Sequence, residues 1–236
     1  MASADWPTLT RRPREMAIML RFDALAPTAT PAFEALYAIY AEAIESSEQK
    51  TRAELHSAIC DPRYRFIAAL EAGVMVGFSI VYLPLGADIW VLEYLAIAPE
   101  HEGRGVGGQL FSESAAMAGP GRLGLIEADA DTGEERGSAR RRRRLRFYAR
   151  TGCRQLGDIS YLLPLTANGA PPPMDLLVHA PSAIAYVPVA TAQAWLRLLY
   201  VEVYGQPGDD PRIASMLAGQ SPIIPLRPID SYNAGC

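Results

Sequence analysis

The sequence predicts an α/β chain of the α+β type: a central mixed, mostly antiparallel sheet flanked by helices, with a C-terminal helical extension. Three observations carry this. Residues 64–84, YRFIAALEAGVMVGFSIVYLP, place β-branched and aromatic residues on both sides of a glycine, the pattern of an antiparallel hairpin. Residues 89–99, IWVLEYLAIAP, run through the glycine turn HEGRGVGG into helical periodicity and then the short strand LGLIEAD, which makes one βαβ unit. Half of the 236 residues are apolar, enough to build a sizeable core.

In chain order, MASADWPTLTRRPRE lacks the apolar core of a signal peptide and reads as a mobile leader over 1–15. MAIMLRF, Met16 to Phe22, predicts a first strand. PAFEALYAIYAEAI, from Pro31 to Ile44, has helical spacing with proline near its start. TRAELHSAI opens with Thr51 and carries Glu54 three residues later, the spacing of a capping box. The hairpin turns at Glu71-Ala72-Gly73. A helix is expected from about Gln109 to Ala118, and another over SARRRRRLRFYARTG, which Gly152 is placed to cap. CRQLGDISYLLP and PMDLLVHAP predict two strands that pair. From about Thr191, AQAWLRLLYVEVY predicts an amphipathic helix, with a shorter one after Asp209-Asp210-Pro211.

The formal charge of −4 and pI near 5.5 create no global basic field, so nucleic acid is not an expected partner despite the run Arg140 to Arg144. That run puts like charges all around one helix and requires acidic neighbours; Asp129, Asp131, Glu134 and Glu135 are candidates. Some of these arginines would also suit a phosphate or carboxylate. Cys60, Cys153 and Cys236 are scattered and odd in number, which suggests neither a disulfide framework nor zinc; a reducing cytoplasm is the expected compartment. His56, His101 and His179 show no ligand spacing, so no metal is expected. No segment approaches the ~20 apolar residues of a span, so neither is a membrane. Lys50 is the chain's single lysine, a usage that fits a GC-rich genome.

The glycine turn admits two readings. Gly103-x-Gly105-x-x-Gly108 satisfies the dinucleotide fingerprint, with Glu127 roughly 20 residues on at the end of the next strand. Against that, Pro99-Glu100-His101-Glu102 separates the first glycine from its strand, and the unit follows a hairpin rather than opening a doubly wound sheet. Alternatively, Gly103, Gly105 and Gly107 let backbone N–H groups converge on an anion at the start of a helix beginning near Gly108.

The order strand, proline, glycine turn, helix resembles motif A of the GNAT superfamily of N-acetyltransferases. In that motif the turn grips the pyrophosphate of coenzyme A, and its usual pattern is Q/R-x-x-G-x-G/A. Arg104, Gly105 and Gly107 match, whereas Glu102 stands where Gln or Arg is usual. Phe147-Tyr148 with Thr151-Gly152-Cys153 is similar to the family's FYxxxGF segment, with Cys153 in place of the phenylalanine. The element order from Met16 to Ala180 is also the family's. A GNAT subgroup with an SE-x-K segment, a basic RRRxxFY helix and a Y-x-x-P … P-M-x-LL-V ending is resembled as well. Here these are Ser47 to Lys50, Arg142 to Tyr148, Tyr161 to Pro164 and Pro173 to Val178.

The resemblance implies a GNAT domain over 16–180, with 181–236 a helical extension packed on it. It further implies an acyltransferase that moves acetyl from acetyl-CoA to the primary amine of a small molecule or amino-acid-like acceptor, by direct attack in a ternary complex. Leu95, Ala96 and Ile97, with Glu102, Gly103, Arg104, Gly105, Val106, Gly107 and Gly108, become the expected coenzyme contacts. Period-two alternation puts Glu93 on the face of Leu95 and Ile97, as a general base or as half of a structural ion pair. Tyr148 matches the family's general acid; packing is its other reading. Glu48, Lys50, Glu127 and Tyr161 are the candidate acceptor contacts, although a polar interhelical loop and a solvated strand end account equally for Glu48, Lys50 and Glu127. The helix around Trp195 to Tyr204 would cover the acceptor cleft, complete the core or form a homodimer face. Two rivals remain: a nicotinamide-dependent oxidoreductase, and a GNAT-fold module that binds coenzyme A without turnover.

Overall fold

The computed structural model describes residues 20–46, 48–131, 137–157, 159–164 and 173–229. Ser47, Glu134, Glu135, Pro171, Pro172, Cys236 and the leader lie outside these. The elements are β1 (Leu20–Ala24), α1 (Thr30–Ala43), α2 (Arg52–Cys60), β2 (Tyr64–Glu71), β3 (Val74–Tyr82), β4 (Ile89–Ile97), α3 (Val106–Ala118), β5 (Leu123–Asp129), α4 (Ser138–Arg150), β6 (Cys153–Leu156), β7 (Met174–His179), β8 (Tyr186–Pro188), α5 (Val189–Leu198), α6 (Pro211–Leu217) and β9 (Ile223–Pro228). No helix among the described residues is long and apolar enough to cross a membrane.

The strands form one sheet in the order β1-β2-β3-β4-β5-β7-β6-β9-β8. Among the described residues every strand pairing is antiparallel except β4 with β5, the pair joined through α3. Local sequence accounts for the elements that the spacing predicts. Thr51 accepts from the Glu54 N–H while the Glu54 carboxylate accepts from the Thr51 N–H, a complete capping box on α2. Ala72 and Gly73 both take positive φ, 51° and 84°, the turn geometry that lets two strands reverse within two residues.

Side chains sort the sheet into two faces. On one, Val76, Val81, Trp90, Leu92 and Ile126 pack against Val106, Leu110 and Phe111 of α3 and Leu145 and Tyr148 of α4. Ser79 and Ser114 hydrogen-bond at 2.7 Å where α3 crosses β3. Gly124 admits the Trp90 ring here, since a Cβ would come within 2.5 Å of Trp90 Cζ2. The opposite face is covered in two parts: α1 and α2 lie over Phe66, Phe78, Ile80 and Ala96, and the segment after residue 180 lies over Ile89, Val91, Leu125 and Val178. That segment supplies α5 and α6 and also two short strands, because β9 continues the sheet beyond β6 and β8 pairs with β9. Trp195, Leu196, Leu199 and Tyr200 are all buried in this part of the core.

Candidate active site

The site grows from an irregularity in β4. Ile80 of β3 faces Tyr94, but the next residue, Val81, faces Leu92, so Glu93 is an extra residue in β4: a β-bulge. A bulge resets the alternation of faces, and the period-two expectation fails at this point. Leu95 and Ile97 pack with the α3/α4 cluster, whereas Tyr94 and Ala96 join the α1/α2 cluster. The Glu93 carboxylate reaches the opposite face from Leu95 and Ile97, accepting from Lys50 Nζ and, at 2.8 Å, from Tyr64 Oη. Its side chain is 4% exposed, so those two donors replace the water it has lost.

The bulge also marks where two parallel strands part. β4 and β5 pair from Ile89 with Leu123 to Leu92 with Ile126 and no further. Past this point β5 remains paired with β7, and β4 with β3, as far as Ile97 opposite Gly77. Among the described residues no strand pairs with the β5-side edge of Glu93–Ile97, which includes Leu95, Ala96 and Ile97. A wedge therefore opens between β4 and β5, with Glu93 and Glu127 as the first residue of each strand beyond the last pair.

Glu127 is held by two phenols, Tyr161 Oη and Tyr204 Oη, the latter at 2.7 Å. Burial raises its carboxyl above the ordinary range, the two phenols lower it, and the nearby Glu93 charge raises it again. Burial and the neighbouring carboxylate, Glu93 for Tyr64 and chiefly Glu127 for Tyr204, push both phenols well up, leaving them as proton donors. Lys50 is anchored through its backbone N–H to Tyr40 Oη at 2.6 Å, and its ammonium lies 5.8 Å from the ring centres of both Tyr64 and Tyr94. The structure thus brings Lys50, Glu93, Glu127 and Tyr161 together. Glu48 is exposed, and its contribution is a backbone carbonyl that accepts from Tyr94 Oη at 3.0 Å.

Tyr64, Tyr94 and Tyr204 were not legible as site residues, because each is an ordinary aromatic in its own element. Tyr204 arrives by a backbone device: after α5 the helix widens to i→i+5 bonding over Leu199–Val203, with the Tyr204 N–H donating to the Leu199 carbonyl at 3.2 Å. The helix beginning at Val189 therefore does two things, completing the core through Trp195 and Leu196 and walling the site through Tyr204.

On the α3/α4 face, Tyr148 is buried against Phe111 and Phe147. Burial pushes its phenol up to about 12, so it keeps its proton at neutral pH. The glycine turn is tighter than its spacing suggests. A 3₁₀ turn spans Pro99–His101, Gly103 and Gly105 adopt left-handed φ of 76° and 83°, and α3 begins at Val106. Helix onset at Val106 rather than near Gly108 puts Gly107 and Gly108 in the first turn of α3. A Cβ on Gly107 would lie in ordinary contact with Phe147, at 3.4 Å, and Ile97, at 3.7 Å. Gln109, bonded to the Gly105 carbonyl, is the first residue with an in-helix acceptor, so the N–H groups of Val106, Gly107 and Gly108 head the helix without one. A Cβ on Gly103 or Gly105 would meet nothing within 4 Å, so the turn is an open cradle suited to a diphosphate.

The charged side chains around the cradle pair with one another. Glu102 accepts from Arg143 at 2.6 Å, which neutralises the acidic departure from the motif. Arg104 binds Glu71 at 2.6 Å and 3.0 Å, so the cradle's anion-facing groups are backbone. The arginine run is spread in the same way, with Arg140 on Glu45, Arg142 on Asp131 and Arg144 on Asp129. Two surface concavities of about 340 and 310 Å³, around Arg63 and Leu85 and around Leu25 and Cys60, lie outside the wedge. Tyr64, the phenol bonded to Glu93, lines the second of these, and neither is lined by Glu93, Glu127 or Lys50.

Residues 62–153 match the family model described as acetyltransferase (GNAT) domain. By sequence, no curated protein matches the chain. A GNAT-family protein from Bacteroides thetaiotaomicron superposes with a TM-score of 0.65 at 17% identity, covering 79% of this chain and 99% of its own. The ribosomal-protein-S18-alanine N-acetyltransferase from Escherichia coli follows with 0.52 at 18% identity, covering 68% and 92%. A spermidine N-acetyltransferase chimera from Vibrio cholerae and hSSAT gives 0.52 at 15%, covering 67% and 93%. Residues 62–153, which include the parting of β4 and β5 and the glycine turn at the head of α3, therefore match a GNAT acetyltransferase domain, and the chain shares its fold with these acetyltransferase structures.

Proposed function

We propose that the protein transfers an acyl group, acetyl in the first instance, from a coenzyme A thioester to the primary amine of a small-molecule or amino-acid-like acceptor. The observation that carries this reading is the wedge: a free strand edge over Glu93–Ile97, the anion cradle at one end and a buried carboxylate pair at the other. The coenzyme supplies the activated acyl thioester. The chain supplies donors and acceptors around it. N–H groups of Gly103 to Gly108 hold the diphosphate, and the open backbone of Leu95, Ala96 and Ile97 pairs with the pantetheine arm and polarises the thioester carbonyl.

Acyl transfer to an amine needs a neutral nitrogen and a protonated leaving thiol. Glu93 removes the proton, directly or through water, from an amine entering on the α1/α2 face. Tyr148, protonated on the α3/α4 face, donates to the thiolate. Glu127 with Tyr161 and Tyr204 draws a cationic acceptor to the mouth of the wedge, and Lys50 partly balances the two carboxylates. No covalent enzyme intermediate is called for in the turnover cycle.

The nicotinamide reading finds no support: Gly103 follows a 3₁₀ turn rather than a strand, and the β4–β5 pair is the one parallel pairing among the described residues. Thermal-shift measurements with acetyl-CoA, CoA, NAD and NADP, followed by thiol release over a panel of amines, test the proposal. Stabilisation by acetyl-CoA and CoA with amine-dependent thiol release is expected. Stabilisation by NAD alone would sink it, and CoA binding without turnover would favour the binding module.

A further inference from the structure

The nitrogen hydrogen-bonded to Glu93 in this structure is Lys50 Nζ. A carboxylate that deprotonates an incoming amine must accept a hydrogen bond from that amine, so Lys50 occupies the position an acceptor would take. The ion pair is asymmetric: the Glu93 side chain is 4% exposed and the lysine side chain 26%, so the lysine is the more accessible partner. Residue identity adds a second, independent observation. Lys50 is the chain's single lysine, and arginine supplies every other cationic side chain apart from three histidines. A structural partner for a buried carboxylate is served at least as well by the arginine fork, which stays charged; a nitrogen that must lose its proton and attack has to be lysine.

We infer that Lys50 is itself an acyl acceptor, a self-modification site at which the acyl thioester of coenzyme A is transferred to Nζ within the same chain. The inference rests on the reading of Glu93 as acceptor-side base. In the step, the Lys50 ammonium gives one proton to Glu93, the neutral nitrogen attacks the thioester carbonyl carbon, and an N–C bond forms as the C–S bond breaks. The second nitrogen proton leaves with the collapse of the intermediate. One of the two protons ends on the thiol of coenzyme A and the other in solvent. The product is a stable amide, so the adduct accumulates. It removes the positive charge beside Glu93 and Glu127 and fills the acceptor's position, closing the site to free amines.

The experiment incubates the full chain with acetyl-CoA in the absence of amine and follows intact mass and peptide mapping. One acetyl group per chain, mapped to Lys50 and not to the N-terminal amine, is expected. Glu93→Gln should form it about 100-fold more slowly, and chain unfolded in urea should not form it selectively. Lys50→Arg should remain unmodified while still being stabilised by CoA in a thermal shift, which shows that it folds. Failure to label Lys50 in a preparation that binds CoA and releases thiol with an amine would overturn the inference and leave the acyltransferase reading standing. Labelling of Lys50 at equal rates in folded and unfolded chain would also overturn it. A preparation that binds no CoA at all would overturn the acyltransferase reading, and the inference with it.

Discussion

Glu93 and Glu127 occupy matching positions on two parallel strands, each the first residue past the last pair of Leu92 with Ile126, and their side chains share the sheet face opposite α3 and α4. The Glu93 charge contributes to raising the Glu127 carboxyl. Each carboxylate has its own donors, Lys50 and Tyr64 for one and Tyr161 and Tyr204 for the other. The two groups therefore sit in unlike environments, which allows unlike roles for two carboxylates so close together.

Glu93→Gln keeps the shape and the hydrogen bond from Tyr64 but removes the proton acceptor. Turnover should fall by about 10²–10⁴, the range for loss of a general base, while CoA affinity by thermal shift or calorimetry stays within about twofold. Equal losses in affinity and turnover would mean that the residue acts by holding the strand.

Tyr148→Phe retains the ring that packs on Phe111 and Phe147 and deletes one hydroxyl. The melting temperature should change little, and thiol release at saturating substrate should fall at least about tenfold. Loss of stability with turnover unchanged would leave Tyr148 a packing residue.

Glu127 yields a pH prediction. Its folded-state pKa is raised above the unfolded value, chiefly by burial, so the native state retains a proton that the unfolded chain has released just above the ordinary carboxylate value of about 4.3. Its contribution to stability is full below that value and falls as pH rises through the raised one. Glu127→Gln should therefore melt higher than the parent near pH 8, by about 2–4 °C for each kcal/mol recovered, and show no such gain near pH 4. A constant difference at all pH values would contradict the assignment.

Gly105 heads α3 with φ of 83°, and a Cβ there would meet nothing within 4 Å, so the cost of a side chain is conformational rather than steric. Gly105→Ala should destabilise the fold by about 1–2 kcal/mol in chemical denaturation and weaken CoA binding by disturbing the cradle. Gly108, equally open but already helical, provides the contrast: Gly108→Ala should gain about 0.5–1 kcal/mol in fold stability.

Much of this arrangement was legible in the sequence because it depends on neighbours in the chain. The capping box at Thr51 and Glu54, the two-residue turn at Ala72 and Gly73, and the strand, glycine turn and helix that make the cradle each follow from local spacing. So did the order of elements that carries the family resemblance. The onset of α3 lies two residues earlier than the spacing suggests, because Gly107 and Gly108 read as turn residues when both stand in the first helical turn. The acidic neighbours of the arginine run were correctly anticipated at Asp129 and Asp131, but not the ion pairs to Glu45 and Glu102, which are distant in sequence.

By itself the sequence determined that the chain folds as a mixed sheet flanked by helices, that a glycine turn opening a helix follows its fourth strand, and which residue types stand near it. Tertiary structure alone decided the direction of Glu93, since a bulge is visible only against the partner strand, and one extra residue reverses every side chain that follows. It also decided that tyrosines from β2, from the segment between β6 and β7 and from the far end of the chain converge on two carboxylates, and that Lys50, in the loop between α1 and α2, closes on Glu93. Such contacts join residues separated by tens of positions, and the burial that makes them consequential exists only once the sheet has both its faces covered.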